Sequence, residues 1–183
     1  MKLFAVLAFI LASLSCSHPA LEVFGNLPQF DLVAQNGQPF HSQALAGKIW
    51  VADFIYTTCP GPCPRMTSQM REVQDAVSKI PDVRLVSFTV DPAGDTPPVL
   101  EAYAKTHGAS PSIWYFLTGQ VSTLQMLDRD AFKLGNLDAS MQHSTRFVLV
   151  DRQSRIRGYY DTSDSSAIPK VISDIQKLER ERT

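Results

Sequence analysis

Residues 49–56 read Ile-Trp-Val-Ala-Asp-Phe-Ile-Tyr, apolar on both faces of an extended chain except at Asp53. A strand that hides both faces lies inside a sheet covered by other layers on each side. Two cysteines follow at once, in Cys59-Pro60-Gly61-Pro62-Cys63-Pro64. After Pro64 the pattern turns helical, with Met66, Met70, Val73 and Val77 on one face. Pro64 suits a first helical turn, where no backbone N–H has to be donated. The chain thus sets two thiols at a strand-to-helix turn, a place for soft-metal or disulfide chemistry. Asp53 is either a buried carboxylate with a partner or a residue of that site.

The flanking segments alternate in period. Residues 30–33 and 38–41 surround Asn36-Gly37, a hairpin turn signal, and Pro39 confines the second arm to a sheet edge. A strand is expected at 83–90, broken by Asp91-Pro92. Thr96 then reads as a helix N-cap with Pro97 at the first helical position. That helix buries Leu100, Tyr103 and Ala104 and stops at Gly108. A strand at 113–117 and a helix at 121–132 follow, the helix with Val121, Leu124 and Leu127 inward. Next come a strand at 146–150, a turn at 151–154 and an antiparallel partner at 156–160. Ile168, Val171, Ile172, Ile175 and Leu178 form the buried stripe of a closing helix, whose charged end, 177–182, is a solvated terminus.

Strands alternating with helices, closed by a hairpin and a helix, describe an α/β sandwich. Its central mixed sheet is flanked by helices and preceded by a β-hairpin. Ligand sites of open α/β sheets lie at the carboxyl ends of the strands. Two cysteines at such an end point to the thioredoxin-like fold.

The 183 residues, 44% of them hydrophobic, make one domain with a real core. A net charge of −1 argues against a nucleic-acid partner, which needs a basic face. Met1-Lys2 and an apolar run to about residue 12 have the basic start and length of a signal-peptide core, too short to span a bilayer. Cys16 follows in Ala12-Ser13-Leu14-Ser15-Cys16, which resembles a lipoprotein processing site; ordinary cleavage near Ser17 is the alternative. Lipidation is preferred, because it gives the odd one of three cysteines a task. The chain therefore divides into a signal peptide (1–15), a linker (16–26) and a domain (27–183). The mature protein is expected in the cell envelope, on the periplasmic side of the membrane and held by a lipid anchor. Cys59 and Cys63 would then face an oxidising compartment.

A helix N-terminus favours thiolate over thiol, so both sulfurs there are nucleophiles and good ligands. Redox pairs of the thioredoxin kind have two intervening residues; this pair has three. Two thiolates alone leave a metal under-ligated. Of four histidines, His18 lies in the linker, His41 on a hairpin edge and His107 at a helix end. His143 stands just before a sheet strand, in a loop that a thioredoxin-like fold brings beside the cysteines; it is a ligand or a hydrogen-bonded loop residue. Two thiolates and an imidazole suit copper, whereas structural zinc normally takes a fourth protein ligand. Met66, Met70 and Met141 carry thioethers, but their positions read more simply as core or surface.

Four motifs in order resemble the Sco/SenC family of copper chaperones, which assist assembly of the binuclear copper centre of cytochrome c oxidase. They are Cys59-Pro60-Gly61-Pro62-Cys63-Pro64; Val90-Asp91-Pro92 with Asp95-Thr96-Pro97; Leu117-Thr118-Gly119; and His143-Ser144-Thr145 leading into Phe147-Val148-Leu149-Val150-Asp151. The resemblance covers the whole mature chain. It implies a thioredoxin fold and copper, as Cu(I), Cu(II) or both, held by Cys59, Cys63 and His143. It also implies a copper-accepting subunit of a cytochrome c oxidase as partner, with a thioredoxin-like reductant as a further one. Asp91 falls in the family's aspartate-proline segment and serves copper transfer or partner contact, unless it simply ends the strand as an Asx turn.

Two functions of different class stand beside each other. A metallochaperone, not an enzyme, would pass copper on by ligand exchange. A thiol-disulfide reductase would keep the acceptor's cysteines reduced, with Cys59 attacking and Cys63 resolving, and the same thiols could serve a redox sensor. Thioredoxin-type reductases carry a cis-proline before the strand that begins here near Thr145, where this chain has His143-Ser144. A peroxidase would want threonine three places before its cysteine, and Tyr56 stands there. The chaperone is the preferred reading.

Overall fold

The computed structural model describes residues 20–135 and 144–181. The seven residues of β4, Ile49–Ile55, are all buried, as their two-sided apolar pattern requires. On one side β4 runs parallel to β5 (Val83–Thr89), and β5 runs parallel to β6 (Trp114–Thr118). On the other side lies β7 (Arg146–Val150), antiparallel to β4 with Ala52 opposite Val148. The start of β7 therefore lies toward the end of β4 that carries the cysteines. The expected mixed sheet is present: β4, β5 and β6 are parallel, and antiparallel strands flank them on both sides, β7 next to β4 and β2 (Asp31–Ala34) next to β6.

The hairpin forms β2 (Asp31–Ala34) and β3 (Pro39–His41), turning at Gly37 with φ +78°. Such a φ suits glycine, which carries no Cβ to clash. β3 is an edge strand, so Pro39 removes no ladder hydrogen bond. Where β2 stops, Gln35 replaces its backbone: the side-chain amide donates to the Trp114 carbonyl at 3.3 Å and accepts from the Phe116 N–H at 2.9 Å.

At the far edge, β8 (Arg155–Asp161) pairs with β7, and Gly25–Asn26 adds a short strand, β1, to β8. β1 falls in the stretch read as linker; two residues carry no periodicity that a sequence could betray. The complete order is β1-β8-β7-β4-β5-β6-β2-β3.

Three helices cover one face: α1 (Cys63–Val77), α2 (Pro97–Thr106) and, after β8, a closing helix at Ala167–Arg180. Met66, Met70, Val73 and Val77 of α1 are all buried against Val51, Ile55 and Leu85. Each such burial is worth roughly 1.5–3 kcal/mol. Thr96 occupies the N-cap of α2 in extended conformation, though its side chain makes no capping bond.

The opposite face is covered by α3 (Val121–Met126), with the closing helix becoming α4 in chain order. The expected helix at 121–132 is realised only in part. After Met126 one π-turn, Leu127–Ala131, closes with Phe132 N–H on the Leu127 carbonyl at 2.8 Å. The wider turn lets Leu127 and Phe132 both enter the core, Phe132 edge-on to Trp50 and Phe54. Val121 does not face inward as expected but is 54% exposed, because the first turn overhangs the sheet that Leu124 and Leu127 reach.

Candidate functional site

β4 ends at Ile55, and the next eight residues form the turn that carries both cysteines. The Cys59 N–H returns to the Tyr56 carbonyl at 3.3 Å, and Met66 N–H to the Pro62 carbonyl at 3.0 Å opens the helix. Pro62 is the N-cap and Pro64 lies in the first turn, positions where a missing N–H is not missed. Cys59 and Cys63 are thiols, not joined in a disulfide, Cys59 nearly and Cys63 wholly buried.

The two sulfurs are not equivalent. Burial pushes the Cys59 thiol up, but hydrogen bonds from the Cys63 side chain, the N–H groups of Cys63 and Gly61, and the Tyr56 hydroxyl outweigh it, so the net shift is downward. Burial, with the Cys59 sulfur bonded to it, drives Cys63 far above the ordinary thiol range, against one favourable bond from the Tyr56 N–H. Negative charge therefore settles on Cys59 first, and Cys63 stays a thiol.

Beneath the pair lies a buried polar group. Asp53 is fully buried; its Oδ1 accepts the Ser87 hydroxyl at 2.6 Å, and Ser87 Oγ accepts Trp114 Nε1–H at 2.9 Å. Among the described residues its Oδ2 has no hydrogen-bond partner, and burial raises its pKa to about 7 in spite of the Ser87 bond. Asp53 is thus the partnered, buried carboxylate of the two alternatives, and its field is still felt at Cys63 and at Tyr103. Tyr103 shares a 2.7 Å bond with Thr67 on α1.

The loop after β5 braces the turn. Asp95 is buried; it accepts from Thr57 Oγ1 and Thr89 Oγ1 at 2.5 Å each, and from Thr57 N–H at 3.2 Å. Asp91 is half-buried, accepts the Gly94 N–H at 3.1 Å, and acts electrostatically on Tyr56. A Cβ on Gly94 would meet the Asp91 carboxylate, which would have to swing aside and give up the bond from the Gly94 N–H. Asp91 does form the Asx-type turn and also stands near the cysteine turn.

Among the described residues no three His, Cys, Asp or Glu side chains converge on one point. Cys59, Cys63 and Asp91 are brought to one pole; His143 and Cys16 lie outside the described residues, as do His18 and Met141. Met66 and Met70 are core residues, 0% exposed. Asp95 and Tyr56 escaped the sequence reading as site residues. Asp95 carried a signal, its place in Asp95-Thr96-Pro97, but nothing local told which threonines it would hold.

Residues 24–179 match the family model described as SCO1/SenC. The chain belongs to the SCO1/SenC family. It is 30% identical over 157 residues to the SCO1 protein homolog of Bacillus subtilis, covering 80% of this chain and 79% of that one. It is also 30% identical, over 83% of this chain and 85% of the other, to a protein of Stutzerimonas stutzeri named for copper binding. Among solved structures it is similar to a SCO1/SenC family lipoprotein from Bacillus anthracis: 31% identity, TM-score 0.77, 85% of this chain and 95% of that one. BsSco, described as a member of the Sco family of cytochrome c oxidase assembly proteins with a disulfide switch, superposes with TM-score 0.78 at 28% identity, over 88% and 98%. The thioredoxin-like fold of the SCO1/SenC proteins is the fold of this chain. No helix among the described residues is long and apolar enough to cross a membrane.

Proposed function

We propose that this protein is a copper metallochaperone that holds copper through Cys59, Cys63 and His143 and assists assembly of the binuclear copper centre of a cytochrome c oxidase. The observation that carries the reading is the pair of mutually hydrogen-bonded sulfurs just past the carboxyl end of β4, each also receiving backbone N–H groups of the turn. β7 starts toward that same pole, and His143 stands three residues before its first residue. The family relatives named for copper binding and for oxidase assembly supply the metal and the task. Two thiolates and an imidazole leave room for an incoming acceptor thiolate, which takes over copper as a chaperone ligand leaves. Asp91, at the rim of the turn, would contact the acceptor. We further read Cys16 as the lipid attachment point that keeps the exported domain at the outer face of the membrane.

The test is anaerobic titration of the reduced protein with copper against a chelator, beside His143→Ala. One copper per chain and much weaker retention in the variant are expected. Unchanged retention in His143→Ala would remove the histidine from the ligand set.

The inequality of the thiols favours a second reading, a thiol-disulfide reductase for the acceptor's copper-binding cysteines. Cys59 would attack the acceptor disulfide, Cys63 would resolve the mixed disulfide, and two acceptor thiols would leave as Cys59–Cys63 forms. A thioredoxin-like reductant would return the two electrons. Disulfide reduction at thioredoxin-like rates would favour this reading over the first.

A further inference from the structure

The entering chain and the cysteine turn lie at opposite poles of the sheet. β4 and β8 both run toward the cysteine pole, so their first residues, Ile49 and Arg155, mark the other one. There β1 meets the start of β8, with Asn26 opposite Arg155 and Gly25 opposite Ile156. Arg157 grips the carbonyls of Leu21 and Glu22. The last turn of α4 returns to the same place, where Arg152 donates to the Leu178 carbonyl at 2.8 Å. Ala20 lines a polar cleft of about 520 Å³ there, with Asp151, Arg152, Arg155, Arg157 and Glu181.

Cys16, read above as the lipid attachment point, precedes Ala20 by four residues. Whatever path they take, four residues reach no further than ~14 Å. Ala20 is thereby confined to that distance from the headgroups, and with it the corner made by β1 and the start of β8. From this corner the cysteines lie ~20 Å away along the strands, the length of β4. Across the strands they lie ~14 Å away, since the order β1-β8-β7-β4 makes three strand spacings. A domain standing on this pole holds the cysteines ~20 Å up, and one lying on its β1 edge holds them ~14 Å up. Inverting the domain would lift Ala20 ~20 Å above the headgroups, beyond the reach of the tether.

The corner also suits a headgroup layer chemically. Val23 and Phe24, beside the tether, are 46% and 41% exposed. Arg152, Arg155 and Arg157 are met by the carboxylates of Asp151, Glu179 and Glu181, and Asp151 serves two of the three. The exposed Arg180 adds a further cation at the end of α4. Guanidinium groups bind phosphate with two parallel hydrogen bonds, and apolar side chains beside them enter the headgroup boundary.

Resting on the lipid-anchor reading above, we propose that this corner rests on phospholipid headgroups and that Cys59 and Cys63 face away from the bilayer, at least ~14 Å clear of it. The copper acceptor must then offer its thiolates on a part that projects from the membrane by a similar distance. An acceptor site level with the headgroups would be out of reach.

The test uses the mature lipidated protein in vesicles of phosphatidylglycerol and phosphatidylethanolamine, with the lipid on Cys16 verified by mass spectrometry. Three variants carry a photoreactive side chain: Gln153→p-benzoylphenylalanine at the corner, and Thr58→p-benzoylphenylalanine and Val121→p-benzoylphenylalanine at the cysteine pole. All three positions are exposed, and position 121 stands in for position 58 should the larger side chain disturb the cysteine turn. Irradiation should give lipid adducts at position 153 and none above background at positions 58 and 121. Adducts at position 58 or 121 as abundant as those at 153, on protein that carries the lipid, overturn the orientation and leave the anchor and copper readings intact. A Cys16 that carries no lipid overturns the anchor reading and the orientation together.

Discussion

Asp95 holds Thr57 by both of its polar groups, the backbone N–H at 3.2 Å and the hydroxyl at 2.5 Å, two residues before Cys59. The same carboxylate holds Thr89 at the end of β5. One side chain thus ties the cysteine turn to the neighbouring parallel strand. Asp95→Ala leaves three donors without their acceptor in a buried place, each bond to a charged group being worth ~1.5–3 kcal/mol. Expected is a loss of ~3 kcal/mol in chemical denaturation, since the donors partly re-pair, together with weaker copper retention. Thr57→Val removes one of the bonds and should lose about a third as much. Equal losses in the two variants would mean that the carboxylate is not the common brace.

Asp53 makes stability depend on pH. Its pKa is about 7 in the fold against 3.8 when exposed, so between those values the folded protein binds the extra proton. Stability therefore falls as pH rises through that window and levels off above it. A shift of that size corresponds to a total on the order of 4 kcal/mol. Asp53→Asn cannot ionise and should lose this slope. Urea denaturation at pH 5 and pH 8 measures it: the unsubstituted protein should lose stability between the two, and the variant should lose far less and be the more stable at pH 8. A slope unchanged by the substitution would assign the effect to another group.

Arg157 is buried and answers Asp151 at 2.8 Å while donating to the carbonyls of Leu21 and Glu22. It fastens the entering chain to β8 at the sheet edge. Its hydrogen bonds, with those from Arg155, hold the Asp151 carboxyl below the usual range although burial works against them. Removing one partner of a buried ion pair costs ~3–5 kcal/mol. Arg157→Ala is expected to lose that much and to expose residues 20–26 to proteolysis, whereas Arg157→Lys should recover part of the ion pair but not both carbonyls. Limited proteolysis with mass spectrometry reads the difference; an intact 20–26 segment in Arg157→Ala would separate the clamp from the ion pair.

The layers of this fold were legible because each main element carries its own period. The two-sided strand at Ile49–Ile55, the stripe Met66-Met70-Val73-Val77 and the Asn36-Gly37 turn all fold as their patterns demand. β1 and the π-turn were not, for a common reason. Gly25–Asn26 is a strand only because β8 has a free edge, and the π-turn exists because Phe132 has a pocket among Trp50, Phe54 and Phe88. At the candidate site, motif and spacing singled out Cys59, Cys63 and Asp91, which the fold brings to one pole. The inequality of the two thiols was not legible, since it arises from donors on Tyr56 and Gly61 and from burial that only the folded turn creates.

That inequality sets the order in which the thiols react. Cys59 lies below the ordinary thiol value because its hydrogen bonds outweigh its burial, and Cys63 far above it because burial prevails. The thiolate is the nucleophile, so the attacking fraction at neutral pH belongs to Cys59, and Cys63 is in addition 0% exposed. Brief iodoacetamide treatment of the reduced protein at pH 7, followed by peptide mapping, should find Cys59 labelled at least ~10-fold ahead of Cys63, one decade being the yield of a single unit of pKa difference. Cys63→Ser should still be labelled at Cys59, because the backbone N–H groups of residues 63 and 61 and the Tyr56 hydroxyl still lower its pKa. Cys59→Ser should leave a thiol that labels only after denaturation. Labelling of both cysteines at one rate would remove the distinction between attacker and resolver on which the reductase scheme rests.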